Sequence, residues 1–207
     1  MFNLVSTFLI LTALAQTTPA GAEEVVQRLA ELGPGGLSGR ASAPGSAAAI
    51  REELRQRLYT RLGDLGDAAV PALSRGLGDP NVLIRRNVAL FLAAGRFAVP
   101  SLAQSRLNGR LMLPALIGAL KDNDATVRGW AAQAIGGIGR DAAEAVPALI
   151  VLLANEDEGS RNSACIALRG IGPAAKDALP SLRQALSDPS ANVRSFATRA
   201  IQAIEGQ

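Results

Sequence analysis

Residues 113–207 contain one pattern written three times. Residues 113–139 read LPALIGALKDNDATVRGWAAQAIGGIG, residues 146–172 read VPALIVLLANEDEGSRNSACIALRGIG, and residues 179–206 read LPSLRQALSDPSANVRSFATRAIQAIEG. The opening prolines of these segments, Pro114, Pro147 and Pro180, follow one another at intervals of 33 residues. A period of this length is typical of proteins in which each repeat buries its apolar side by stacking on its neighbours. The sequence therefore predicts an array of stacked repeats.

Each repeat predicts two helices. Counted from the opening proline as position 0, apolar residues at −1, +2 and +6 lie on one side of a short first helix. Apolar residues at +13, +17, +20, +21 and +24 lie on one side of a longer second helix, after a polar turn. The hydrophobic content of 48% with only 3% aromatic residues suits closely packed helices. We therefore expect an all-α chain.

The repeat pattern extends towards the N-terminus in a less regular form. Pro71 opens a similar repeat, but Pro114 follows it only after 43 residues, which indicates an insertion near residues 97–112. Residues 23–66 are interpreted as a degenerate N-terminal repeat with a flexible loop, rich in Gly, Ser and Pro, at residues 33–46. The regular array is then expected over residues 67–207.

Residues 1–22 have the features of a signal peptide. The apolar run at residues 4–14 is shorter than the roughly 20 residues that a membrane span needs. Small residues before Gln16 and before Glu23 offer two cleavage sites. We expect an exported protein, periplasmic or secreted, without a stable membrane span once the leader is removed. Because no Lys or Arg precedes the apolar run, an uncleaved anchor or an ordinary apolar helix is the alternative.

Two polar positions recur in every repeat, and we interpret both as structural. Position +8 in the turn is Asp or Asn, and position +14 is always Arg. We expect each guanidinium to hydrogen-bond the turn residue or the carbonyls at a helix end. A basic stripe for a ligand is the alternative. The residues concerned are Asp79, Asp122, Asn155 and Asp188 at +8, and Arg85, Arg128, Arg161 and Arg194 at +14.

The combination of these motifs resembles a known family. The turn motif D-x-x-x-x-V-R at residues 122–128 and the ending A-x-x-A-[IL]-x-x-[IL]-G at residues 131–139 are similar to HEAT repeats. The short bacterial repeats of phycobilisome-lyase-like proteins are the most similar subtype. The resemblance implies a right-handed α-solenoid of about four to five helical hairpins that binds other proteins. It also implies an alternative, a bilin lyase-like protein that binds or helps attach a tetrapyrrole chromophore.

The composition argues against catalysis. The chain has no His, which excludes a Ser-His-Asp or Cys-His nucleophile and the usual zinc and non-haem iron sites. Cys165 is the single cysteine and lies in a helical apolar pattern, so we expect it to be buried. The net charge of only +3 makes nucleic acid an improbable partner. We expect a non-enzyme without a cofactor or metal.

A partner is expected to bind where the repeats differ from one another. Positions +15, +16, +19 and +22 face away from the predicted core of the second helices and vary in every repeat. Aromatic residues flanked by Arg are common at protein-binding hot spots; alternatively, the two rings fill gaps between repeats. We predict a protein or peptide partner. The candidate partner-binding residues are Arg86, Leu90, Trp130, Gln133, Ile166, Arg169, Phe196 and Arg199.

Overall fold

A computed structural model describes residues 19–33, 47–94 and 108–206. Within these ranges the chain forms α-helices and short 3-10 segments and no β-strand. Two compact halves are present, Met1–Asn108 and Gly109–Gln207. The all-α prediction is confirmed. The leader up to residue 18, loop residues 34–46 and residues 95–107 of the predicted insertion lie outside the described residues.

The N-terminal half contains four described helices: α1 (Pro19–Glu31), α2 (Ala47–Leu65), α3 (Val70–Leu77) and α4 (Val82–Ala94). Helix α1 packs against each of the other three. On α2, Leu54, Leu58 and Leu62 are buried at a spacing of four residues, as the sequence predicts. The hydroxyl of Tyr59 donates a hydrogen bond of 3.2 Å to the carbonyl of Asn87 on α4.

Helix α1 begins before the predicted end of the leader. The helix begins at Pro19, so residues 19–22, which the sequence analysis assigned to the leader, are helical. Ala22 is fully buried. Gly21 and Ala22, the last two residues of the predicted leader, are therefore buried in the first turn of an amphipathic helix.

The C-terminal half is three successive helical hairpins. The first helices are α5 (Leu113–Ala119), α7 (Val146–Leu153) and α9 (Leu179–Ala185), and the second helices are α6 (Ala125–Ile138), α8 (Glu158–Ile171) and α10 (Ala191–Glu205). Each opening proline lies in the first turn of its helix, where a missing N–H leaves no intrahelical partner unsatisfied. Helix α8 packs between α6 and α10. The second helices therefore form one layer.

Most of the predicted core positions are buried. Those that stay partly exposed are Val70, Leu92, Ile138, Leu179 and Ile201. Leu116, Leu149 and Leu182 at +2 are at most 1% exposed. Ser160 at +13 is a buried polar residue, and its hydroxyl accepts a 3.0 Å hydrogen bond from Nε of Arg128 in the preceding repeat. Leu186 at +6 is 41% exposed, contrary to its core assignment, since no described helix packs on that side of the third hairpin.

The second helices end at glycines whose backbone conformation is easily adopted only by a residue without a side chain. Gly139 has φ 79° and ψ −143°, and Gly172 has φ 68° and ψ −140°. These values are not those of a left-handed helical cap, and a positive φ with such a ψ is a conformation that essentially only glycine adopts. The backbone instead turns directly into the 3-10 segments Gly139–Ala145 and Gly172–Ala178, which lead to the next opening proline.

The turn between the two helices of each repeat is held by the recurring polar residues. In all four repeats the +14 arginine donates from Nη1 to the carbonyls at +8 and +9, at 2.7 to 3.2 Å. The +8 side chain accepts the backbone N–H at +10, at 2.8 to 2.9 Å. The predicted structural bonds of the arginines are therefore present. The N-cap of the second helix is the +10 residue, for example Asp124 and Asp157.

Two of these arginines also join neighbouring repeats, Arg128 through Ser160 and Arg161 through Asp188. The guanidinium of Arg161 donates to both carboxylate oxygens of Asp188, at 2.8 and 3.0 Å. Both side chains are at most 16% exposed. The Arg161 guanidinium holds the pKa of the Asp188 carboxyl below its usual value. Hydrogen bonds from Ser160 lower the pKa of Asp157 in the same way. The carboxylates stabilise the fold in their ionised form.

Helices α6 and α8 touch through their backbones. A Cβ atom built on Gly170 of α8 would lie 2.3 Å from the carbonyl oxygen of Gly136 on α6. A Cβ on Gly136 would lie 2.9 Å from Cα of Ala167. No side chain fits at either position, so the two glycines set the distance between the helices. Gly137 occupies the same repeat position as Gly170, but a Cβ atom built on it would have no atom within 4 Å.

Gly170→Ala is expected to destabilise the protein by about 2–3 kcal/mol, because the methyl group must push two backbones apart. Gly137→Ala is the matched control at the same position of the preceding repeat. It should change the free energy of unfolding by less than about 1 kcal/mol, towards greater stability. Urea unfolding followed by circular dichroism measures both values. Equal effects of the two substitutions would mean that α6 and α8 are not in contact at this point.

The depressed carboxylate pKa values predict acid sensitivity. Because the folded-state pKa of Asp188 and Asp157 lies below the unfolded value, their stabilisation is complete above about pH 5 and is lost as the pH falls through the folded-state pKa values. The melting temperature of the wild type should therefore decrease below about pH 4.5.

Asp188→Asn should be less stable than the wild type at neutral pH and lose less stability on acidification, so that the two curves converge. Asp177→Asn is the control, since Asp177 is exposed and takes part in none of these bonds. Its curve should run parallel to that of the wild type. Scanning calorimetry from pH 3 to pH 8 provides the comparison, and a constant difference between the Asp188 variant and the wild type would contradict the linkage.

Candidate functional site

The layer of second helices in the C-terminal half presents a continuous surface. We call the residues at +15, +16, +19, +22 and +23 of α6, α8 and α10 the second-helix face. The N-caps Asp124, Asp157 and Ser190 each accept a backbone N–H of the first turn of their helix, which fixes where that helix begins. Because the three helices start at equivalent positions and pack side by side, equivalent residues form rows across the layer.

Six of the eight predicted partner-binding residues lie on this face. Trp130, Gln133, Ile166 and Phe196 are partly exposed, and Arg169 and Arg199 are exposed. Neither aromatic ring is in the buried core, so both rings present part of their surface to solvent. The guanidinium of Arg199 lies 5.8 Å from the centre of the Phe196 ring, a distance suited to a cation–π contact.

The other two predicted residues are on α4 in the N-terminal half. Arg86 is partly exposed there. Leu90 is only 3% exposed, so its assignment to an exposed surface is wrong. Helix α4 is apolar from Val88 to Phe91, and all of these residues are buried where α4 packs against α1 and α3. Position +19 therefore belongs to the core in this repeat, whereas it is partly or fully exposed in the C-terminal half.

The second-helix face is basic. No Asp or Glu occupies any of its positions, while Arg169 and Arg199 carry full positive charges. The carboxylates of the three second helices are Glu158, at the start of α8, and Glu205, at the end of α10. Glu158 accepts a 2.6 Å hydrogen bond from Ser190, and Glu205 accepts one of 2.9 Å from Arg183.

Sequence reasoning missed a second surface, on the first helices. Two grooves of about 670 and 790 Å³ lie between α5 and α7 and between α7 and α9. Val151, on the ridge between them, is 71% exposed. The signal was available in the sequence VPALIVLL of α7, which contains no polar residue and so must expose apolar side chains. Lys121, Asp122 and Glu144 give the first groove mixed charge.

The single cysteine is inaccessible. Cys165 on α8 is fully buried, as the sequence predicts, and burial raises the pKa of its thiol to about 12. Among the described residues, no group of three or more Cys, Asp or Glu side chains could hold a metal ion. In the same part of the chain no helix is long and apolar enough to cross a membrane.

Comparison with solved structures shows similarity to natural and engineered repeat proteins. The complex of CpcE and CpcF of phycocyanin lyase from Nostoc sp. PCC7120 is 26% identical, with a TM-score of 0.58; the match covers 93% of this chain and 66% of that chain. The chain thus spans about two thirds of the length of this relative.

Designed proteins share the fold at lower identity. A designed armadillo repeat protein in complex with the peptide (KR)4 is 17% identical, with a TM-score of 0.56 and coverage of 89% of this chain and 82% of that chain. An engineered protein is 20% identical, with a TM-score of 0.58 and full coverage of both chains. These matches show an armadillo- or HEAT-like α-helical repeat scaffold.

The sequence comparisons agree with this fold. No curated protein matches the chain. The family model for HEAT repeats matches residues 113–202, which include all three hairpins of the C-terminal half. Residues 113–202 are therefore HEAT repeats.

Proposed function

We propose that this protein is a non-catalytic interaction module that binds a protein or peptide through its second-helix face. One observation carries the proposal: Trp130, Ile166 and Phe196 expose apolar surface on three adjacent helices beside the exposed Arg169 and Arg199. In the described residues Arg169 and Arg199 form no ion pair, so both guanidiniums are available to a partner beside this apolar surface. Aromatic residues and Arg are the residue types enriched at the energetic centres of protein interfaces.

The scaffold supports binding because it is rigid before a partner arrives. Backbone contact at Gly136 and Gly170 sets the spacing of α6 and α8, and the +14 arginines hydrogen-bond the turns of all three hairpins. A preorganised surface loses little conformational entropy when it binds. The proteins with this fold described above include a two-protein complex and a peptide complex, which is consistent with a binding role.

The side-chain chemistry favours binding over catalysis. The chain has no His to act as a general base. Its only thiol is buried with a raised pKa and so offers no nucleophile near neutral pH. Several carboxylates of the C-terminal half take part in turns, caps and ion pairs, as Asp157 and Asp188 do. These roles require carboxylates that stay ionised.

A bilin lyase-like protein that binds or helps attach a tetrapyrrole is the second candidate. The observation in its favour is the 26% identity to the CpcE–CpcF complex over 93% of this chain. In that case the protein should bind a free bilin with a saturable shift in the absorbance spectrum. The interaction-module proposal expects no such shift.

Combined substitution of Trp130, Arg169 and Phe196 by Ala should abolish capture of the natural partner while leaving the melting temperature within a few degrees of the wild type. Truncation of a hot-spot aromatic residue costs about 2 kcal/mol or more of binding free energy, a factor of about 30. Affinity purification from the native host, with quantitative mass spectrometry, compares the variant with the wild type.

Val151→Ser is the matched control, because Val151 is an exposed apolar residue on the first-helix side. It should retain the partner that the triple variant loses. Loss of the partner with Val151→Ser alone would place the binding surface in the first-helix grooves instead. A large drop in the melting temperature of the triple variant would mean that Trp130 and Phe196 are packing residues.

We further propose that the protein is exported with the aid of residues 1–22. The first turn of α1 supports one of the two cleavage sites of the leader over the other. Cleavage after Ala22 would remove the first residues of α1, including the buried Ala22, whereas cleavage after Ala15 would leave the whole helix in place. Cleavage after Ala22 would thus remove contacts that are buried in the folded protein.

The mature exported protein is expected to begin at Gln16. N-terminal sequencing and intact mass of the protein recovered from the periplasm or medium give the cleavage position directly. Replacing Ala15 by Leu should block processing, because signal peptidases require a small residue there. A mature chain beginning at Glu23 would contradict the inference from α1, and a chain that keeps Met1 inside the cell would contradict export.

A further inference from the structure

We infer that the segment bound on the second-helix face is acidic, with a central apolar side chain. This inference rests on the proposed function and adds the chemical class of the partner. It comes from the distribution of charge in the C-terminal half, where every position of the face lacks Asp and Glu.

The carboxylates of this half are kept at the edges of the helical layer. Asp122, Asp157 and Asp188 lie in the turns, where they accept backbone or side-chain hydrogen bonds. Glu158 and Glu205 lie at the ends of helices and are bonded to neighbouring side chains. None of these groups is in the middle of the face. A negatively charged partner there meets no like charge on the face itself.

The two arginines of the face differ from the +14 arginines and from Arg183. Arg140 is also exposed and has no ion pair in the described residues, but it lies in the 3-10 segment Gly139–Ala145, outside the face. The +14 arginines donate hydrogen bonds to carbonyls of the turns, and Arg183 pairs with Glu205 at 2.9 Å. In the described residues Arg169 and Arg199 have no ion pair. The Phe196 ring lies beneath the Arg199 guanidinium, which favours an extended side chain without using its hydrogen-bond donors. Both guanidiniums therefore remain able to bind carboxylates, to which their planar forks are suited.

The layout of the face limits the length of the bound segment. Packed helices lie about 8–10 Å apart, so a segment crossing three helices spans about 16–20 Å, or about five to six extended residues. Arg169 and Arg199 are on neighbouring helices. They should bind carboxylates about three residues apart in an extended chain. Ile166 lies on the helix between those that carry Trp130 and Phe196. It is placed to contact an apolar side chain of the same segment.

An acidic peptide fits this face better than a nucleic acid does. Proteins that bind nucleic acid through the backbone commonly make about six to ten phosphate contacts. The second-helix face offers two exposed arginines and no lysine. Two cations near an apolar centre match a short segment with a few carboxylates.

Fluorescence anisotropy with labelled eight-residue peptides tests the inference on the whole protein. The probes are DDLDDLDD, its amide counterpart NNLNNLNN, the basic peptide (KR)4 and single-stranded oligo-dT. The acidic peptide should bind about tenfold more tightly than the amide peptide, as expected for two exposed ion pairs. The affinity for the acidic peptide should fall with added salt, and (KR)4 should not bind.

Variants identify the surface involved. Substituting both Arg169 and Arg199 by Gln should lower the affinity for DDLDDLDD about tenfold, to that for NNLNNLNN. Arg183→Gln is the matched control, since Arg183 is exposed on a first helix and already paired; it should change nothing. Trp130→Ala should weaken both leucine-containing peptides. Melting temperatures confirm that each variant is folded.

The outcomes separate this inference from the proposed function. Equal binding of the acidic and amide peptides, with both weakened by Trp130→Ala, overturns the acidic preference and leaves the face as a binding site. Tighter binding of oligo-dT than of any peptide assigns the face to nucleic acid. Absence of binding by DDLDDLDD overturns the inference. Peptide binding that is insensitive to Trp130→Ala and to the double Arg variant contradicts the proposed function as well.

Discussion

Each hairpin of the C-terminal half depends on the guanidinium at +14. A turn between two packed helices leaves carbonyl groups that point away from regular hydrogen bonding, and burying them unpaired is costly. Arg128, Arg161 and Arg194 donate to two such carbonyls each and so hold the second helix at a fixed angle to the first. Once that angle is fixed, the apolar sides of both helices face the next repeat, and stacking follows. The same contact occupies hydrogen-bond donors of these residues without neutralising their charge, and we assign recognition to the positions that vary between repeats.

Much of this fold could be predicted from the sequence because the repeats can be compared with one another position by position. The prolines, the +8 and +14 residues and the apolar stripe recur, and recurrence indicates which contacts every repeat needs. The helix limits Ala47–Leu65 and the buried Leu116, Leu149 and Leu182 follow from local periodicity alone. Turn chemistry was also accessible, since Arg and Asx residues at fixed offsets have few other partners.

The sequence failed where the environment of a residue depends on something outside its own repeat. Leu90 and Ile166 occupy the same repeat position, but α4 packs among other helices and buries Leu90, whereas Ile166 stays partly exposed. Leu186 is exposed because no described helix stacks beside it. The contact between Gly136 and Gly170 was hidden because glycine near a helix end is equally well explained as a terminator. For the site, the residue types could be predicted, but their grouping on one charged face required the packing of three helices.

The contrast between the two layers of the C-terminal half has a consequence for its curvature. The second helices α6 and α8 approach until their backbones touch, whereas open grooves of about 670 and 790 Å³ separate the first helices. A stack that is closer on one side than on the other bends towards the closer side. We therefore expect the second helices to line the inside of an arc, so that side chains approach a segment lying across them from both flanks. The expected concave surface of the second helices thus depends on the two glycines, Gly136 and Gly170, at one helix crossing.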